Sequence, residues 1–553
     1  MVLGELRKHV EALILYDRIA CGTRNSYIRC VRRGEIGTTA LQGANKIPMP
    51  ENTTSINVVF VVYLAAMLGV GFLFFRRTES TSDYFLGDRK LDKWVAALSA
   101  QASDMSGWLL LGLPGAAYLS GLSASWIAVG LLAGTYLNWR FVARRLRHFT
   151  GVSEDIITIS DYLEHRFREK RNLLRIISAL FILVFFMIYT SSGFVAGGKL
   201  FSTVFHIPYS TGLLLGAAVV VSYTFLGGFN AVCWTDFFQG TLMLVAILVV
   251  PVVILDSAAM SGTVRTSFEE LNASAPSYFS LFGDASTGVF ALAVGTVSSL
   301  AWGLGYFGQP HILVRFMAIR SADDVAVARR IAMVWVTLSL IGAVSVGILG
   351  RMTGPMLEGP DAEKIFMVLV GLLFPGLLAG VFLAAILAAI MSTADSQLLV
   401  TTSAFTEDFY RTFLRKNAGD TELVWVSRLT VVAVALAALL MAFVSEKLVF
   451  AIVAYAWAGF GATFGPVLLG SLFWRRMTWQ GALCGMVTGG LTVLVWGQID
   501  GGIFELYEIV PGFVLSTLTI MAVSLLTPPP PEEAVAEFDR LAGELTDPDA
   551  ALE

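Results

Sequence analysis

Charge is what this sequence has least of. Only 14% of its 553 residues are charged, where soluble domains carry about 25%. With 56% hydrophobic residues and a mean hydropathy of +0.71, this is the composition of a membrane protein rather than of a large soluble core. The net charge of −4 is too mild to point to nucleic acid or an acidic ligand. Cysteine is scarce: Cys21, Cys30, Cys233 and Cys484 form no CxxC pair, so neither a metal cluster nor a disulfide framework is indicated. The five histidines (His9, His148, His165, His206 and His311) are scattered. HExxH, GxSxG and Walker sequences are missing. Hydrolytic, metal-dependent and ATP-driven chemistry therefore lack their residues, and the chain reads as a non-enzyme.

Long apolar runs are what the chain has in quantity. A bilayer core of ~30 Å needs about 20 apolar residues per helix. By that measure an all-α protein with about thirteen spans is expected, near 56–75, 94–119, 124–139, 175–205, 211–229, 234–255, 288–307, 328–350, 366–396, 423–444, 448–473, 480–497 and 507–526. Lysine and arginine collect in cytoplasmic loops. Here they follow the odd-numbered spans: Arg76, Arg77, Arg89, Lys90 and Lys93; Arg140, Arg144, Arg145 and Arg147; Arg315, Arg320, Arg329 and Arg330; Arg411, Arg415 and Lys416; Arg475 and Arg476. The remaining loops are poor in basic residues. That pattern places the N-terminus outside and the C-terminus in the cytoplasm.

The two ends stand apart from residues 49–527. Residues 1–48 carry eight arginines and lysines that the topology would put outside, and 10–16 is too short for the apolar region of a signal peptide. Met49 is expected to be the natural start, with the preceding segment a mis-called or disordered extension; a regulatory arm is the alternative. At the other end, prolines at 528–531 stop the last helix. The tail 528–553 is expected to be a solvated cytoplasmic helix or a disordered segment without chemistry of its own.

Two spans carry the marks of interrupted helices. The second reads WVAALSAQASDMSGWLLLGLPGAAYL, with Asp104 at its middle beside Ser103, Ser106 and Gly107. A carboxylate there costs about 2.5–3.5 kcal/mol on insertion scales. It persists when it faces a cavity, a cation or a paired donor. Gly107 weakens the helix, and the serine hydroxyls can satisfy backbone groups freed by unwinding. A structural Asp bonded to a neighbouring helix is the plainer alternative. The seventh span contains LAWGLGYFGQPHILVRFM, where Gly303, Gly305, Gly308 and Pro310 alternate with Trp302, Tyr306 and Phe307. Glycine and proline break the helix, and the aromatics can wall a pocket for a small apolar ring; a re-entrant loop packed for structure alone is the alternative. Breaks five spans apart point to an inverted-repeat transporter with repeats at about 94–255 and 288–473. In span 9, AAILAAIMSTADSQLLVTTS offers Ser392 and Thr393 as adjacent hydroxyls on a helix of small residues. Such hydroxyls suit a hard cation, though in membrane helices they commonly bond back to their own helix.

Taken in order, ALSAQASDMSGWLLLGLPGA, ISALFILVFFMIYTSSGFVAG, YTFLGGFNAVCWTD, WGLGYFGQPHILVRFMA, ILAAIMSTADSQLLV and AYAWAGFGATFGPV closely resemble the sodium:solute symporter family, in particular its proline-carrying members, collinearly from Asn52 to Leu526. The resemblance implies a leucine-transporter-like 5+5 inverted repeat with extra peripheral helices, in the bacterial cytoplasmic (inner) membrane. It implies sodium-coupled import of L-proline by alternating access, with Na+ as coupling ion and no cofactor. Lipid surrounds such a protein, nucleic acid plays no part, and a monomer is expected. Carried over, the sodium site falls on the carbonyls of Ala102, Met105 and Ala389 and the hydroxyls of Ser392 and Thr393, with Asp104 in it or near it. The proline pocket falls on Ser106, Gly107, Tyr189, Trp302, Tyr306 and Pro310.

Two departures accompany the resemblance. Asp88 stands where a second glycine is common. Asp395 and Ser396 follow the paired hydroxyls and, with Asp236 of the WTD motif, form either a second cation site or, the favoured alternative, a capping or gating pair. A symporter for another small carboxylate such as pantothenate, an ion channel and a transporter-like sensor are the rival functions.

Overall fold

The computed structural model describes residues 53–75, 81–152, 156–226, 228–260, 263–444 and 448–545. The expectation about residues 1–48 lies outside them. The described residues are helical throughout, apart from one isolated bridge between Leu91 and Ile319. In chain order the helices are α1 (Thr53–Phe75), α2 (Thr81–Leu86), α3 (Lys93–Gly107), α4 (Leu113–Ser120), α5 (Ser125–Leu137), α6 (Arg144–Thr150), α7 (Ile159–Phe167), α8 (Leu173–Phe205), α9 (Tyr209–Leu226), α10 (Phe229–Met260), α11 (Thr263–Ser274), α12 (Val289–Leu300), α13 (Pro310–Ala318), α14 (Asp324–Thr353), α15 (Ile365–Leu373), α16 (Gly376–Ser403), α17 (Asp420–Val444), α18 (Val449–Phe473), α19 (Trp479–Trp496), α20 (Ile509–Leu526) and α21 (Glu532–Glu544).

Among the described residues, eleven stretches are long and apolar enough to cross a membrane, where the sequence suggests about thirteen spans. The difference arises in two places. Spans 2 and 3 belong to one helical run, Lys93–Thr150, of 58 residues. At ~1.5 Å per residue that run is far longer than a bilayer is thick. It is broken at Gly121, whose φ of 64° turns the chain after α4. A Cβ there would lie 1.9 Å from the carbonyl oxygen of Tyr278, so glycine is required both for the turn and for the contact. The fifth span is a shorter apolar helix, Tyr209–Ser222.

The two interrupted helices lie at the centre of the packing. The α3 helix, capped by the Asp92 side chain, packs on α10, α13, α14 and α16. Between α12 and α13 the chain forms a 3-10 segment, Ala301–Gly308, gripped between α5 and α18. Glycines make that grip possible. A Cβ on Gly134 would sit 2.2 Å from the Gly303 carbonyl, and one on Gly308 2.3 Å from the Phe460 carbonyl.

The tail is a helix, one of the two expected alternatives, over Glu532–Glu544; its added feature is that, rather than standing free, α21 docks on α6, α7 and the turn after α18. Phe538 is buried beneath the Arg166 guanidinium, 4.4 Å from the ring centroid, and meets Phe149 edge-on. Glu537 accepts from Arg168 (2.5 Å) and pairs with His165 (3.1 Å), Glu544 pairs with His148 (2.9 Å), and Asp539 with Arg475 (2.9 Å). An apolar stripe of Ala534, Phe538 and Leu541 at helical spacing is what covers the contact.

Candidate functional site

The break in α3 falls at Ser106, where φ is 51° and ψ −171°. Few residues other than glycine adopt that conformation, at a cost of about 1–3 kcal/mol. The Ser106 hydroxyl offsets part of it by accepting from the amide of Trp108 at 3.1 Å. A π-helical turn, Trp108–Gly112, follows before α4 resumes. The break in the other helix falls at Gln309, which is extended (φ −85°, ψ 104°), and Pro310 opens α13 as its first residue.

Asp104 and Tyr306 meet where these breaks face one another. The buried Tyr306 hydroxyl donates to Asp104 Oδ2 at 2.5 Å, and Tyr189 of α8 donates to the Asp104 carbonyl at 3.3 Å. Met105, Trp108, Leu131, Trp302, Val453 and Trp457 complete the wall of a narrow cavity of about 10 Å³, on the scale of one water molecule. Trp302 packs on Trp108 (centroids 5.2 Å apart), on Phe450 and on Tyr507. Trp457 donates to the Trp302 carbonyl at 2.8 Å and stands edge-on to Tyr306. Beyond Phe450 a larger hollow of about 460 Å³ is lined by Tyr278, Arg351, Glu363 and Phe450 itself. Five expected pocket and ion residues, Asp104, Met105, Tyr189, Trp302 and Tyr306, thus converge on the small cavity. Ser106 forms the break below it, Gly107 packs on Ala196 and Ile390, and Pro310 stands outside the lining.

The hydroxyls of α16 meet the last turn of α3. Ser392 donates to the Ala102 carbonyl at 2.9 Å and lies 3.3 Å from the Ala389 carbonyl; Thr393 Oγ1 is 3.4 Å from the same Ala102 oxygen. Carbonyls in a terminal helical turn lack regular partners, and here two hydroxyls have turned onto one of them, that of Ala102. The Met105 carbonyl accepts from the amide of Trp108 instead. Main-chain carbonyls and hydroxyls are a donor set for a hard cation. Among the described residues, no group of three or more His, Cys, Asp or Glu could hold a metal ion.

Asp236, Asp395 and Ser396 also come together, though around a cation that the protein itself supplies. Arg315, assigned from the sequence to a basic loop, is fully buried on α13. It pairs with Asp236 at 3.2 Å and donates to Ser396 at 2.5 Å. Asp88, the other departure, occupies a left-handed turn (φ 52°) beside Gly87 and Arg89, a conformation that Asp tolerates better than most residues.

Two interrupted helices sharing one site, among eleven stretches long and apolar enough to cross a membrane, define a helical membrane carrier of the leucine-transporter-like inverted-repeat fold. The structure is similar, with a TM-score of 0.71 and 19% identity, to a Na+-coupled sialic acid symporter solved in a substrate-bound outward-open state, over 86% of this chain and 98% of that one. The sequence is 49% identical over 480 residues to the sodium/proline symporter of Escherichia coli (strain K12), covering 86% of this chain and 93% of the relative. It is 47% identical over 477 residues to the high-affinity proline transporter PutP of Bacillus subtilis (strain 168), covering 86% and 98%. The model of the sodium:solute symporter family matches residues 84–489, and the chain belongs to that family.

Proposed function

We propose that this protein is a sodium-coupled symporter that imports L-proline by alternating access. The observation that carries the reading is the meeting of Asp104 and Tyr306 across two broken helices, one turn from the Ser392–Ala102 contact, in a chain nearly half identical to named sodium/proline symporters. In this reading sodium replaces the hydroxyl-to-carbonyl hydrogen bonds. It is held by the carbonyls of Ala102, Met105 and Ala389 and by Ser392 and Thr393, with Asp104 supplying negative charge nearby. It thereby ties α3 to α16. Proline takes the widened cavity between Tyr189, Trp302 and Tyr306. Freed amides at Ser106 and Gly107 face its carboxylate, the aromatic rings face its ring and ammonium group, and Pro310 shapes the opposite helix end.

Coupling requires sodium to bind the two states unequally. A monovalent cation crossing 100 mV gains about 2.3 kcal/mol, and at about 1.4 kcal/mol per tenfold this supports roughly 40-fold accumulation before any sodium gradient is added. In this reading the basic loops lie in the cytoplasm of a bacterium, which puts the N-terminus outside and the C-terminus inside, and the protein works as a monomer. The test is proline uptake into proteoliposomes with sodium and voltage imposed separately. Uptake that saturates with proline and needs sodium supports the reading. Uptake of another small carboxylate in preference to proline, current without solute, or binding without translocation would each replace it.

A further inference from the structure

Arg315 draws four elements onto one buried guanidinium. Its Nε donates to Ser99 Oγ on α3 at 3.1 Å, and its Nη1 to the His311 carbonyl of its own helix at 2.7 Å. Its Nη2 reaches Asp236 Oδ2 on α10 at 3.2 Å and Ser396 Oγ on α16 at 2.5 Å. Ser99 donates to the same Asp236 oxygen at 2.7 Å, and the Phe229 ring lies 5.4 Å from the guanidinium. Arg315, Asp236, Asp395, Ser396, Ser99 and His311 are all without exposed surface.

The position of this cluster is informative. On α3, Ser99 lies between Asp104 and Leu91; on α13, Arg315 lies between the Gln309 break and Ile319. Leu91 and Ile319 are joined at the end of the molecule that bears the basic loops. The guanidinium therefore lies between the site and that face along both broken helices, and fastens their lower halves to α10 and α16. Asp236 alone pairs with the guanidinium, Asp395 lies one hydroxyl away, and Asp395 Oδ2, Asp236 Oδ1 and both ring nitrogens of His311 have no partner within hydrogen-bond distance. The Ser396 hydroxyl that accepts from Arg315 also donates to Asp395 Oδ1 at 3.4 Å, which places a second counter-charge one hydroxyl away. A buried charge stripped of its partner is strongly destabilising, so a guanidinium that leaves Asp236 needs such an acceptor.

We propose that Arg315 is the lock of the inner gate. Paired with Asp236 it holds the lower halves of α3 and α13 against α10. Passing through Ser396 to Asp395, it releases α10 without losing its counter-charge. The proposal rests on the carrier reading, and it makes Arg315 and Asp395 positioning residues that touch neither ion nor solute.

Cys233 is a native reporter, fully buried one helical turn before Asp236 on α10. With Cys21, Cys30 and Cys484 replaced by serine, its labelling by a membrane-permeant maleimide is measured with and without sodium. Arg315→Gln is expected to raise the labelling rate at least tenfold and to remove protection by sodium. The reversed pair Asp236→Arg with Arg315→Asp should return labelling towards the starting rate. Asp395→Ser, which deletes the second acceptor, should slow both labelling and proline exchange. Arg315→Lys, which keeps the charge but loses the fork, serves should the glutamine variant not fold, and should label at an intermediate rate. Labelling of folded Arg315→Gln or Arg315→Lys at the starting rate, or an Asp395→Ser variant indistinguishable from the parent, overturns the lock. Labelling needs no proline, so a parent protein without sodium-dependent proline uptake would sink the carrier reading separately.

Discussion

The Tyr306 hydroxyl donates to the Asp104 carboxylate across 2.5 Å, and with that one bond the interruption in one helix is joined to the interruption in the other. Neither residue is accessible from outside, so the bond is made in a setting where polar groups have few alternative partners. Hydrogen bonds to charged groups contribute about 1.5–3 kcal/mol, which corresponds to roughly 10- to 100-fold in an equilibrium constant. Tyr306→Phe is therefore expected to raise the proline concentration for half-maximal uptake by about that factor, measured as initial rates in proteoliposomes.

Asp104→Asn keeps the shape and removes the charge. It is expected to insert normally and to lose most of its sodium activation, read from uptake against sodium at fixed proline. Unchanged sodium activation in this variant refutes the role given to Asp104.

The two hydroxyls on α16 should not be equivalent. Ser392 holds the Ala102 carbonyl at 2.9 Å and Thr393 at 3.4 Å. Both alanine variants should raise the sodium concentration for half-maximal uptake, Ser392→Ala more than Thr393→Ala. Trp302→Ala, by contrast, should shift the proline curve and leave the sodium curve nearly in place.

Gly305 is set against the indole of Trp457, and a Cβ there would fall 1.9 Å from its nitrogen. Overpacking of this kind costs about 1–3 kcal/mol. Gly305→Ala is expected to lower the thermal unfolding midpoint of the purified protein. Gly295, whose Cβ would meet nothing within 4 Å, is the control that should tolerate alanine.

The docked tail gives a pH test. Burial pushes the Glu537 carboxyl up, but the hydrogen bond and charge of His165, with Arg168 beside it, outweigh burial and hold it below the usual glutamate range. A depressed carboxyl stabilises the docked state above its unfolded value, near 4.3, and that contribution is lost as pH falls through the lower folded value. Tail docking should thus persist at neutral pH and weaken below about pH 4. Phe538→Ala, a loss on the order of 3 kcal/mol, should free the helix at neutral pH and speed tryptic cleavage after Arg540.

The breaks were legible because the residues that cause them are local: Ser106 and Gly107 beside Asp104, and three glycines before Pro310. The pairing of Ser392 with Ala102 was reached through family resemblance, since residues 290 positions apart carry no local signal of contact. Arg315 was misplaced for a physical reason. Counting arginines after a span assumes that charge lies in water, and this one is neutralised inside the protein by Asp236, which lies 79 residues earlier in the sequence. Trp108, Phe450 and Trp457 were missed because an aromatic in an apolar helix looks the same facing lipid or facing a pocket. The docking of α21 was missed because its own charges suggested water; only the positions of Ala534, Phe538 and Leu541 on one face hinted at a partner. Spans 2 and 3 follow one another through a turn at Gly121 so tight that no loop separates them, which hydropathy does not register.

Leu91 and Ile319 are tied through their main chains: the Leu91 amide donates to the Ala318 carbonyl at 3.1 Å, and the Arg320 amide to the Leu91 carbonyl at 3.0 Å. A clasp made of peptide groups is indifferent to side-chain identity. Ordinary mutagenesis at these two positions will therefore report only how well each side chain packs, and the stitch itself will stay silent. Replacing the Arg320 amide by an ester, which deletes one donor and also weakens the Ile319 carbonyl that accepts from Arg147 at 2.6 Å, is the substitution that would make it speak.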